Sequence, residues 1–327
     1  MSEILELLSL ISRLLHAENV LILCHKNPDG DTVGSSAALY HALKSLGKTA
    51  ALLCSDPIPA RYSYMQAEQF TGQFEPGYMV AVDVAGIQLF GDGVRQYSER
   101  VDLCIDHHGS NSGYADAMYL DASAAATAEI IYQLLEAMQV PITPVIADCL
   151  YTGLSTDTGC FLFSNTTAHT HKVAAALMEA GARVEELNAL LFESKSKGRV
   201  AIERTALENL EYHFEEQCAL IYMTREQIAA SGVSMEDLEG VTGLPRKIEG
   251  IKVGITLRQL PSGSYKISVR TVKGVDACAI AKRLGGGGHE QAAGCELEGN
   301  LENAKAAVLA EVEKELARAS QRAEEHS

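Results

Sequence analysis

Apolar residues recur along the chain in two rhythms, and the rhythm changes near residue 217. In the first half, short continuous apolar runs alternate with longer stretches of helical spacing. The runs are 20–24 (Val-Leu-Ile-Leu-Cys), 50–54, 78–82 and 101–105, each with the length and composition of a strand buried on both faces. Helical patterns cover 32–46, closed by Gly47, and then 124–138, 144–155, 168–180 and 184–191. At the start, Ile4, Leu7, Leu8, Ile11, Leu14 and Leu15 describe one apolar helix face. Strands alternating with helices need crossover connections, which predicts an α/β fold over residues 1–190 with a doubly wound, mostly parallel sheet.

Residues 191–216 are charged and helical in composition and read as a connector. Beyond it, 219–223, 252–260 and 265–271 have strand patterns, the last two joined by the turn chemistry of Pro261-Ser262-Gly263-Ser264. A short helix over 276–284, the glycine run Gly285–Gly288 and a long helix from Leu301 complete a second, smaller α+β domain over 217–327. The polar tail 321–327 is expected to fray. Two domains also suit a length of 327 residues, more than one core usually supports.

Composition adds exclusions. No basic start precedes a continuous apolar run, and no apolar stretch spans a bilayer, so a cytoplasmic protein that does not engage membranes is expected. Eight cysteines, at 24, 54, 104, 149, 160, 218, 278 and 295, form no C-x-x-C pair and read as reduced thiols. The net charge of −16 disfavours long duplex DNA. Yet Arg246–Arg283 carries nine basic and two acidic residues, a balance of +7 against −23 elsewhere. Such a patch facing an acidic domain suits a small phosphorylated ligand; a solvated sheet face is the other reading. With no tryptophan and 6% aromatic residues, the chain has few platforms for stacking long single strands. Tyr265 could stack a base, though a core or hairpin role is simpler.

Acids and histidines gather in four segments. His25-Lys26-Asn27-Pro28-Asp29-Gly30-Asp31 follows the first strand, Asp83 ends the third, Asp106-His107-His108 ends the fourth, and Asp157 follows a helix. Singly, Asp29 and Asp31 could form a turn and helix cap, Asp83 a common strand end, and the histidines a loop. Together, three segments sit at the carboxyl ends of parallel strands, where open sheets bind ligands. Five converging acids repel one another unless cations intervene, and the mixture of imidazole and carboxylate suits Mn²⁺ better than Mg²⁺ or Ca²⁺.

These segments resemble the four motifs of the DHH phosphoesterases. Gly285-Gly286-Gly287-Gly288-His289-Glu290-Gln291-Ala292-Ala293-Gly294 looks like the glycine-histidine motif of the DHH-associated C-terminal domain. The likeness covers nearly the whole chain without a departure at the ligand positions, and is nearest the branch of bifunctional oligoribonucleases that also act on 3′-phosphoadenosine 5′-phosphate. It implies two divalent ions, Mn²⁺ preferred and Mg²⁺ possible. His25, Asp29 and Asp83 would hold one; Asp31, Asp83, His107 and Asp157 the other, with Asp83 shared and a water activated as nucleophile. His108 would face the phosphate, and Asp106 would orient a neighbouring histidine. A tetraglycine alone is more often a linker; matched to the motif, Gly286, Gly287, Gly288 and His289 become a phosphate loop, with Arg270 as the gripping arginine. Arg258 reads as a surface strand residue, and Arg199 and Lys197 are weaker candidates.

The expected activity is removal of mononucleotides from short single-stranded RNA, with 3′-phosphoadenosine 5′-phosphate as a second substrate. Cyclic or linear dinucleotides are an alternative using the same site, and a non-catalytic nucleotide sensor is a further one. An inorganic pyrophosphatase is disfavoured by the character of the C-terminal motif. Many such proteins self-associate, which leaves a homodimer open.

Overall fold

In the computed structural model, which describes residues 2–325, the apolar runs of the first half lie side by side. β1 (Glu3–Ile4), β2 (Val20–Leu23), β3 (Ala50–Leu53), β4 (Tyr78–Val82), β5 (Leu103–Asp106) and β6 (Ala117–Leu120) form one sheet, ordered β1-β6-β5-β4-β2-β3. Every pairing in it is parallel. Setting the two-residue edge strand β1 aside, the order is second-first-third-fourth-fifth, and the direction of winding reverses between β2 and β4. That reversal opens a crevice at the carboxyl ends of the two strands. His25 stands just beyond β2 and Asp83 directly follows β4.

The helices of this unit (Met1–Ser194) are α1 (Leu7–His16), α2 (Gly30–Ser45), α3 (Arg95–Ser98), α4 (Thr127–Ala137), α5 (Pro144–Asp157), α6 (Ala168–Glu179) and α7 (Val184–Asn188). Because strand side chains alternate, Val20, Ile22, Val80, Val82, Leu103 and Ile105 share one face and pack with α2, α4 and α5. Leu21, Leu23, Met79, Ala81 and Cys104 share the other, under Phe90, Val94 and Val101, where the cover is short turns and the four-residue α3. The amphipathic pattern at the start is displaced. Ile4 belongs to β1, and α1 turns Leu10 and Leu14 inward while Leu8 and Leu15 stay exposed. The apolar stripe is wider than the one side that contacts the protein.

The second unit (Lys195–Ser327) is a mixed sheet. β7 (Glu211–His213), β8 (Cys218–Met223), β9 (Val253–Gln259), β10 (Tyr265–Thr271), β11 (Gly287–His289) and β12 (Ala292–Leu297) run β11-β12-β10-β9-β8-β7. Only the β8–β9 pair is parallel. Its helices are α8 (Lys197–Glu208), α9 (Arg225–Ser231), α10 (Met235–Glu239), α11 (Ala277–Arg283) and α12 (Leu301–Glu325). Ile255, Leu257, Ile267 and Val269 bury against Ile280, Ala304, Val308 and Val312. The stretch read as a connector divides: the chain parts at 194/195, and α8 packs Ile202 and Ala206 on Ile221 and Met223 of the second unit. Residues 321–325 continue α12 where fraying is expected, and 326–327 lie outside the described residues. The eight cysteines are free thiols, and no helix among the described residues is long and apolar enough to cross a membrane.

Candidate active site

Asp29 stands at the N-cap of α2, where its carboxylate accepts from the backbone N–H groups of Asp31 (3.0 Å) and Thr32 (3.1 Å). The cap fixes the next turn, and Asp31 points inward from it. Its carboxylate accepts from the Ser35 hydroxyl (2.9 Å) and from the backbone N–H groups of Thr127 (2.6 Å) and Ala128 (2.9 Å) at the start of α4. A helix N-terminus thus faces a buried anion, the favourable direction of the dipole. α2 and α5 lie so close that a Cβ on Gly153 would sit 2.7 Å from Asp31 Oδ1. This proximity brings Asp157, the last residue of α5 rather than one beyond it, toward the acids of α2.

Asp83 follows β4 with φ of +62°, a left-handed backbone that few side chains tolerate. Its N–H is bonded to the Ile105 carbonyl, and Oδ1 accepts from the Thr127 hydroxyl at 2.8 Å. His25 Nε2 lies 3.5 Å from Asp29 and 3.8 Å from Asp83. His107 Nε2 lies 3.8 Å from Asp83 and 3.5 Å from Asp157. Donor atoms of His25, Asp29 and Asp83 fall within 4.8 Å of one another, as do those of Asp31, His107 and Asp157, and those of Asp83, His107 and His108.

The electrostatics are strained. Burial, with repulsion from Asp31 and Asp29, pushes the Asp83 carboxyl well above the usual range. Burial likewise raises Asp31, and burial with repulsion from Asp31 takes Asp157 to about 7. At Asp29 and His25 burial opposes the charged forms, but their mutual hydrogen bond and attraction, with backbone hydrogen bonds, together outweigh it, so the acid is lowered and the imidazole raised. His107 Nε2 is buried and has no hydrogen-bond partner, while its Nδ1 lies 3.2 Å from the Ala124 carbonyl. An orphaned imidazole nitrogen facing carboxylates that resist ionising is the donor set a divalent cation fits.

His108 differs from its neighbour. Its Nδ1 is 2.8 Å from Asp106 Oδ1, which also accepts from the backbone N–H groups of His107 (2.8 Å) and His108 (3.2 Å). Asn111 donates to Asp106 Oδ2 at 2.6 Å. The hydrogen bond to Asp106 raises His108, whose side chain is 43% exposed. Asp106 is fully buried, yet the bonds from His108 and Asn111 overcome burial and hold it low.

Residues 19–154 match the model of the DHH family, N-terminal domain, and residues 218–318 that of the DHHA1 domain. The bifunctional oligoribonuclease and PAP phosphatase NrnA of Thermus thermophilus is 35% identical over 96% of this chain and 96% of its own length. The chain belongs to the DHH family. Among solved structures, an exopolyphosphatase-related protein from Bacteroides fragilis superposes with a TM-score of 0.87 at 23% identity, covering 96% of this chain and 97% of that one. RecJ of Thermus thermophilus in complex with Mn²⁺ gives 0.51 at 16%, covering 96% of this chain and 54% of RecJ.

In this DHH chain, the first unit brings all eight of its expected site residues together. The remaining five lie in the second unit. There Arg270 and His289 flank Ala292 at one register level across β10, β12 and β11, which sets them on the same sheet face. The glycines are not a free loop. Gly287 and Gly288 are strand residues, and a Cβ on Gly286 or Gly288 would run into β12, whereas Gly287 faces open space. Arg258 is buried in β9 rather than on the surface, and Tyr265 lies in the core. Arg199 is tied to Glu203 (2.6 Å) and to the Asp237 carbonyl, and Lys197 is exposed.

The residues that hold these acids and histidines in place were not read from the sequence. Ser35 could have been found, since it stands one turn beyond Asp31 on the same helix face. Thr127, Asn111 and Asn165, whose amide donates to the Ala125 (2.8 Å) and Asp157 (3.2 Å) carbonyls, meet their partners only through the fold.

Proposed function

We propose that this chain is a hydrolase that degrades short oligoribonucleotides to mononucleotides and converts 3′-phosphoadenosine 5′-phosphate to AMP, acting in the cytoplasm with two divalent ions, Mn²⁺ preferred over Mg²⁺. One observation carries the reading: two donor sets, His25–Asp29–Asp83 and Asp31–His107–Asp157, meet at Asp83 and His107, which lie 3.8 Å apart. The name of the Thermus relative supports the substrate class, and the RecJ complex supports the metal. Bound divalent ions supply Lewis acidity toward a phosphoryl oxygen and a water of lowered pKa.

The chain's own groups do the rest. Asp83 is the shared ligand, aimed by its left-handed backbone and the Thr127 hydroxyl. Asp31 is held by the N-terminus of α4. Asp106 accepts the Nδ1–H of His108 and favours the charged imidazolium, so the outer nitrogen also carries a proton to offer the phosphate or the departing oxygen. Residues 1–190 carry the metals; in 217–327, Arg270, His289 and the Gly286–Gly288 backbone bind a substrate phosphate. Purified protein with Mn²⁺ is assayed on di- to pentaribonucleotides and on 3′-phosphoadenosine 5′-phosphate. Release of mononucleotides and AMP is expected, and its absence from every substrate refutes the reading.

A further inference from the structure

Beside the ligand cluster, the first unit holds a cavity of about 440 Å³ that the catalytic scheme does not use. It lies at the carboxyl end of β3, the neighbour of β2 on the sheet's far side from β4. Its floor is Leu52, Tyr62 and Met65, all at least 98% buried. Its walls include Pro57, Ile58 and Pro59 from the segment after β3.

The cavity shares its rim with the metal-ligand loop. Cys54 lines it and donates through sulfur to the His25 carbonyl at 3.2 Å. Asp56 lines it and accepts from the Asn27 N–H at 2.7 Å. Val33 lines it from α2, one turn past Asp29, whose carbonyl accepts from the Val33 N–H at 3.3 Å, so the two share a helix face about 6 Å apart along the axis. The cavity therefore adjoins the segment that carries His25 and Asp29, where one end of a bound nucleotide is held in the hydrolase reading.

Its chemistry excludes a phosphate. No lysine or arginine lines it, and its single charged lining residue is an acid, Asp56. Apolar walls lined also by uncharged amides and hydroxyls, Gln66, Gln69, Ser55 and Ser63 among them, suit an uncharged heteroaromatic ring with hydrogen-bonding edges. The volume is in the range of small-ligand pockets, on the order of 300–1,000 Å³.

We propose that this cavity receives one nucleobase of the substrate, so that preference for base-bearing phosphoesters is set by residues 52–69 of the first unit. The proposal rests on the hydrolase reading above and adds where the base is held. Ser63→Trp and Ala60→Phe place a ring in the cavity from exposed positions, which spares the core. Two measurements are made on each variant after its melting temperature is shown to match wild type.

The first is the ratio of kcat/KM for a diribonucleotide to that for its abasic analogue. It should exceed unity by about tenfold in wild type, the scale of one base contact, and collapse toward unity in both variants. The second is adenosine binding to the metal-free protein by calorimetry, where Kd should rise about tenfold in each variant. Either quantity unchanged in both folded variants overturns the proposal. Wild type that binds adenosine but cuts neither dinucleotide sinks the hydrolase reading and leaves the second measurement to decide the cavity alone.

Discussion

Replacing Asp83 by asparagine tests the electrostatics at their centre, because the metal-free and metal-bound proteins should respond in opposite directions. Asparagine keeps the size of the side chain, accepts the Thr127 hydroxyl as before and tolerates the left-handed backbone. Donor oxygens of Asp29 and Asp83 lie within 4.8 Å. At an effective dielectric constant near 20, two full charges at that distance repel by about 3.5 kcal/mol. The Asp29 side chain is 58% exposed, so solvent screens that repulsion, and Asp83 relieves the rest by holding a proton. The remaining penalty at pH 8 is about 1–2 kcal/mol, and about 2–4 °C of melting temperature per kcal/mol is expected for a unit of this size. The sign follows from linkage. Asp83 titrates above its unfolded value in the folded protein, so its stabilising share is present at low pH and lost as pH rises through the folded value. Metal-free Asp83→Asn should therefore melt within error of wild type near pH 4, about the unfolded value, and several degrees higher at pH 8. The Mn²⁺-induced rise in melting temperature, large in wild type, should vanish with turnover. Calorimetric scans at both pH values, with Mn²⁺ and with chelator, read all of this. A variant that melts lower than wild type at pH 8 without metal, or that keeps its Mn²⁺ shift, refutes the reasoning.

Two further substitutions probe the supports. Asn111→Ala strips Asp106 Oδ2 of its 2.6 Å donor and loosens the carboxylate that fixes His108. Turnover should fall about tenfold at little change in KM, with the His108 limb of the pH–rate profile displaced; an unaltered profile would show that Asn111 only packs. Gly153→Ala places a methyl 2.7 Å from Asp31 Oδ1 and 2.8 Å from Ala128 Cβ, a buried clash that should cost about 1–3 kcal/mol and weaken Mn²⁺ affinity, measured by melting and metal titration.

The parallel sheet was legible because its strands are buried on both faces and therefore read as continuous apolar runs. The convergence of acids and histidines was legible because charged residues end those runs, a costly arrangement that structure alone does not require. What stayed hidden had no local pattern. β1 is two residues whose pairing with β6 depends on a partner more than a hundred positions away, and β6 itself, Ala-Met-Tyr-Leu, lacks β-branched residues. β11 was hidden because glycine carries no strand preference; Gly287-Gly288-His289 becomes extended only by pairing with β12. Thr127 lies inside the helical pattern over 124–138 with nothing local to single it out. Its hydroxyl caps nothing in its own helix and goes instead to Asp83, a partnership set by the crossing of α4 over the sheet.

The backbone at residue 83 also narrows what evolution or design can do with this centre. A left-handed conformation is comfortable for glycine, asparagine and aspartate, and costs a longer side chain about 1 kcal/mol or more. Glutamate, the obvious way to lengthen the carboxylate proposed as the shared ligand and admit a larger ion, is thus opposed by the main chain before any coordination is considered. Retuning the centre for another ion size has to begin by rebuilding the end of β4, not by exchanging one carboxylate for another.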